Sequence, residues 1–71
     1  MQHQHTARIS ADLERDRLQH REARLRLAVR RLEARVEEKR RHGHLVPLAL
    51  RASLDDLRSE LGRLEQRRAA A

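Results

Sequence analysis

Residues 25–61 read LRLAVRRLEARVEEKRRHGHLVPLALRASLDDLRSEL, and Gly43 divides this stretch into two apolar ladders. Leu25, Val29, Leu32 and Val36 precede the glycine, while Leu50, Leu54, Leu57 and Leu61 follow it. Every rung has a counterpart at the same distance from Gly43: Val36 with Leu50, Leu32 with Leu54, Val29 with Leu57, and Leu25 with Leu61. Steps of four and three residues hold a ladder on one helix face, and mirror spacing sets rung against rung once the chain folds back at its centre. The pattern predicts an all-α fold, an antiparallel two-helix hairpin.

Local signals suggest where the arms begin and end. Ser10 is the first good N-cap, and Asp12 and Glu14 suit the first turn that would follow it, so residues 1–9 read as a flexible polar tail. Residues 10–71 then form a single helical-hairpin domain, with helix 1 expected over about 10–42, a turn at 43–46 and helix 2 over about 47–68. No Gly or Pro interrupts the first arm, and its last turn holds Lys39, Arg40 and Arg41, favourable at a helix C-terminus. Gly43 can take the left-handed conformation that ends a helix, and Pro47 suits the start of the next. Ser53 with Asp56 imitates a capping box, which leaves a later start for helix 2 open. A parallel two-stranded coiled coil is a third possibility, with Val29 and Val36 at one heptad position and Leu18, Leu25 and Leu32 at the other, but Gly43 and Pro47 oppose its continuation.

A chain of 71 residues without Phe, Tyr or Trp has a thin core. Completion of that core is expected from a homo-oligomer, a dimer of hairpins packed as a four-helix bundle, or from a heteromeric helical partner. Leu18 and Leu64 extend the two ladders and join the expected core and oligomer interface. Helix 2 is the shorter arm, so the N-terminal third of helix 1, with Ile9, Leu13 and Leu18, should project beyond it.

The basic residues are sixteen Arg and one Lys, a bias toward a side chain that stays charged when desolvated and grips carboxylate or phosphate with two nitrogens. GC-rich codon usage is the plainer explanation of that bias. On a helical wheel, Arg17, Arg21, Arg24, Arg31, Arg35 and Lys39 fall on one flank of helix 1 without an acid among them. The opposite flank mixes signs, with pairs such as Glu22 and Arg26 at i,i+4. The sorted flank is the candidate site for an anionic partner, an acidic protein or nucleic acid; alternatively it is solvated, or neutralised by Asp55, Asp56, Glu60 and Glu65 of helix 2. Residues 1–42 carry twelve bases against seven acids and the rest five against four, so any phosphate-backbone contact belongs to helix 1. Stacking on bases lacks its aromatic platform.

Several function classes find no support. There is no Cys for thiolate catalysis or zinc ligation, no nucleophile beside a base, and no Gly-rich phosphate loop, so no catalytic residue is assigned and an enzyme is not expected. His3 with His5, and His42 with His44, are two-apart pairs, and Met1, Gln2 and His3 spell an amino-terminal pattern for copper or nickel. His3-Gln4-His5 also matches the alternation of an affinity tag, and no Glu-x-x-His motif accompanies any of them, so neither a metal site nor a cofactor is expected. No apolar run approaches a membrane span, which predicts no membrane insertion and a cytoplasmic location.

The long helix, the Arg41-His42-Gly43 turn and the shorter second helix resemble the small hairpin co-chaperones of type III secretion needle subunits. The stretch Leu57 to Leu64 is similar to the end of the short cytosolic hairpins of the YdcH type. Neither resemblance assigns a site residue. The expected function is a small non-enzymatic protein-protein interaction module with an assembly, chaperone-like or adaptor role, and the alternative is a nucleic-acid-binding accessory protein using the Arg flank.

Overall fold

The structure, a computed structural model, describes the backbone of residues 2–70 and the side chains of residues 10–70. Two helices form it: α1 spans Gln2–Arg41 and α2 spans Leu48–Ala70. Ion pairs between them fix their relative sense, because Glu33 meets Arg58, Arg26 meets Glu65 and Glu22 meets Arg68, so falling numbers on α1 face rising numbers on α2. The fold is the antiparallel hairpin that the mirrored ladders predict. Val29, Val36 and Leu54 are the buried centre of the core, with Leu32, Val46, Leu50, Leu57 and Leu61 packed against it.

The connection spans residues 42–47 and is built from backbone hydrogen bonds. Gly43 N–H donates to the Arg40 carbonyl at 3.1 Å and His44 N–H to the Lys39 carbonyl at 2.8 Å, the paired bonds of a Schellman cap. That cap needs a residue in the left-handed region, and Gly43 has φ of 69°. On the other side, the Pro47 carbonyl accepts from Leu50 N–H at 3.1 Å and Arg51 N–H at 3.2 Å, so Pro47 sits just outside α2 and the helix starts at Leu48. The later start at Ser53 is not used.

The two glycines give substitutions of opposite sign. A Cβ on Gly43 would meet nothing within 4 Å, so Gly43→Ala should cost about 1 kcal/mol through backbone conformation alone. Gly62 lies inside α2 with equally open space around it, so Gly62→Ala should add about 0.5–1 kcal/mol through helix propensity. Thermal melting of the two variants should move in opposite directions by several degrees.

The structure departs from the sequence reading at the N-terminus. α1 begins at Gln2, and Ser10, Asp12 and Glu14 lie inside the helix rather than at its first turn. Residues 2–9 contain no Gly or Pro, and Gln, Ala and Arg are good helix formers, so a favourable cap at Ser10 does not oblige the helix to start there. The side chains of His3, His5 and Ile9, and the Met1 of the chelate pattern, lie outside the described residues.

Candidate interaction surfaces

Heptad positions organise the seam. Taking Val29 and Val36 as a, and Leu25 and Leu32 as d, the α1 seam extends to Glu22 at a and Leu18 at d in one direction and to Lys39 at d in the other. On α2 the seam runs Leu50, Leu54, Leu57, Leu61 and Leu64, and its next position is Arg68. The flanking positions are ionic. Arg21 pairs with Glu60 on one side of the seam, while Arg26 with Glu65 at 3.5 Å and Arg58 with Glu33 at 3.8 Å lie on the other. A seam of a and d residues bordered by charges is the narrow stripe of a two-stranded coiled coil, and the hairpin fills it from within one chain.

Glu22 is the residue that reading the flanks misplaced. It is only 3% exposed, inside the seam rather than on a mixed outer flank. Its two carboxylate oxygens are divided between two arginines, Oε1 accepting from Arg26 and Oε2 lying 3.3 Å from Arg68. Extending the ladder from Leu25 by a step of three, and from Leu64 by a step of four, would have located both Glu22 and Arg68. Beside this pair a cavity of about 260 Å³ is lined by Leu18, Gln19, Leu64 and Arg67 among others; Leu64 is buried, but Leu18 remains 44% exposed.

The six cations of the expected basic flank do not behave alike. Arg21 is engaged by Glu60, and Lys39 is half-buried with its carbonyl in the helix cap. Arg17, Arg24, Arg31 and Arg35 are exposed and have no ion pair among the described residues. Three of these repeat at seven-residue intervals, about 10 Å apart along the helix. Of the four α2 acids that might neutralise the flank, only Glu60 reaches it, because Glu65 turns to Arg26 and Asp55 and Asp56 make no ion pair among the described residues. A groove of about 390 Å³ elsewhere, between the arms near Val36 and Leu54, is lined by Glu33, Glu37, Asp55, Arg40, Arg51 and Arg58 and is balanced in charge.

Exposed apolar side chains gather away from the seam. Leu13 and Leu27 stand on the outer side of α1, while Leu45 and Leu48 stand at the hairpin turn. Among the described residues, no group of three His, Cys, Asp or Glu is placed to hold a metal ion, and no helix is long and apolar enough to cross a membrane. The His42 and His44 rings lie 5.9 Å apart at the cap. No family model, curated protein or solved structure matches the chain.

Proposed function

We propose that the chain is a non-enzymatic helical assembly module, working in the cytoplasm, whose partner packs along the part of α1 that α2 leaves uncovered. The supporting observation is the mismatch in arm length. α1 has 40 residues and α2 has 23, and the mirrored register sets Ala70 against Asp16, so among the described residues α2 ends there and does not run alongside the earlier part of α1. Isolated helix of that length is marginal in water; Leu13, 53% exposed, is the apolar group on this arm, and Leu18, 44% exposed, stands at its margin where α2 ends, so a second helix would find apolar surface at both. Two hairpins joined through their free arms would give the four-helix assembly without opening either seam. A different helical protein could take the same place.

Solution mass and melting test this reading together. The unmodified chain should shift toward dimer between about 1 µM and about 100 µM, with a melting midpoint that rises over that range. Leu13→Gln with Leu18→Gln should remain monomeric and melt independently of concentration. An unmodified chain that is monomeric throughout, with a fixed midpoint, would remove self-association and leave only a heteromeric partner.

The four unpaired arginines favour a second reading, contact with nucleic-acid backbone. Changing Arg17, Arg24 and Arg31 together to Gln preserves helix propensity and relieves repulsion, so stability should hold or rise slightly. Under this reading, duplex DNA binding should fall by an order of magnitude or more and lose salt dependence. The matching change at Arg15, Arg26 and Arg30 should weaken the fold instead, since Arg26 holds both Glu22 and Glu65. Equal loss of DNA binding from both triple variants would mean that net charge alone matters.

A further inference from the structure

We propose that the hairpin tip docks on the surface of an anionic lipid bilayer, inserting Leu45 and Leu48 between headgroups while the surrounding cations meet lipid phosphates and carboxylates. Leu45 is 93% exposed and Leu48 82%, far more than any other large apolar side chain among the described residues. They are held outward by a fixed backbone. The Schellman cap at Gly43 fixes one side of the turn, the Pro47 carbonyl opens α2 on the other, and Val46 between the two leucines packs against the core. From residue 39 to residue 54 the chain carries Lys39, Arg40, Arg41 and Arg51 and no Asp or Glu; the acids Glu37, Glu38, Asp55 and Asp56 come next, farther from the tip, where Glu37 and Asp55 share the groove with Arg40 and Arg51. Apolar side chains projecting from a cationic collar match the chemistry of an anionic headgroup layer over hydrocarbon.

Shape and charge discriminate against other occupants. The backbone is only 17 × 16 Å across, so the end is narrow beside the ~800 Å² that each side of a stable protein interface buries. A bilayer needs no complementary pocket. A second copy meeting tip to tip would bring the two cationic collars together, and a nucleic acid would leave both leucines against phosphate and water. The tip lies at the end of the 64 Å rod opposite the free arm of α1, so docking there is independent of assembly through Leu13 and Leu18.

The chain has no aromatic residue other than histidine, so Leu45→Trp places a single fluorophore at the tip. Vesicles of phosphatidylcholine with about 30% phosphatidylserine, at ~0.1 M salt, should shift its emission to the blue and should co-sediment the unmodified chain. Pure phosphatidylcholine vesicles should do neither, and ~0.5 M salt should weaken the effect. Leu45→Ser with Leu48→Ser should lower vesicle affinity on the order of tenfold or more with an unchanged melting temperature, because neither side chain contributes to the core. The proposal is overturned if the double serine variant binds anionic vesicles as well as the unmodified chain, if neutral vesicles bind equally, or if the Trp responds to polyglutamate or duplex DNA and not to vesicles.

Discussion

Leu54→Asp should abolish the cooperative helical signal at 25 °C. Leu54 is the most buried apolar side chain among the described residues and packs in one cluster with Val29 and Val36, so the substitution removes the central rung and drives a carboxylate into an apolar cluster. Losing a buried leucine and desolvating a carboxylate together cost several kcal/mol, comparable with the whole stability of a domain this small. Leu57→Asp should act in the same direction with a smaller effect, since Leu57 is half-buried. Arg58→Ala is the control. It removes only a half-exposed pair with Glu33 at 3.8 Å and should cost less than about 1 kcal/mol. Circular dichroism melts of the three variants distinguish them, and equal losses at Leu54 and Arg58 would refute the register.

The second large effect concerns the ionic step in the seam. Arg26→Met with Arg68→Met keeps the aliphatic stems and leaves the Glu22 carboxylate buried without a partner, which should cost about 2–3 kcal/mol. That figure sits toward the low end for a stranded charge because both guanidinium groups are about half in solvent and their attraction is screened. Glu22→Leu should reverse the sign, gaining about 1–2 kcal/mol by making the seam apolar from Leu18 to Val36. Adding Glu22→Leu to the double Met variant should then restore its melting temperature, since the cost lies in the stranded charge and not in the missing arginines. If the double Met variant melts with the unmodified chain, the buried pair contributes nothing. A polar residue at one a position also specifies register, so Glu22→Leu should permit slipped or multimeric pairings, visible as a broadened mass distribution.

The hairpin was legible because its signals reinforce one another. Eight apolar residues with mirror spacing, a glycine at the midpoint and a proline four residues later point to one topology, and the core contains every one of those rungs except Leu25, which is half-buried beside it. The start of α1 was not legible, because Ser10 offers a good cap but nothing in residues 2–9 stops a helix that has already begun. Candidate surfaces were read less well than the core for a related reason. A helical wheel assigns a residue to a flank by angle alone, whereas burial depends on what stands opposite: Glu22 is covered because Leu64 and Arg68 face it. Arg21 and Arg24 have neighbouring angles, yet only Arg21 faces an acid on α2. Leu45 and Leu48 belong to no ladder, and their exposure follows from the three-dimensional course of the turn.

Mirror symmetry about Gly43 also governs the order in which this molecule can form and open. Contacts near the turn, such as Val36 with Leu50, close a short loop, while each rung farther along requires a longer one, so folding should proceed like a zipper from the tip with a low contact order and a fast rate. Opening runs the other way. The ion pair of Glu22 with Arg68 is among the last contacts to close and the first to part, and amide hydrogen exchange should therefore show protection that falls steadily from Val36 toward the N-terminus of α1. A hydrophobic rung at that end would hold the arms together in almost any alignment; an ionic one engages only when the count is correct, which makes it a latch that closes on the finished fold.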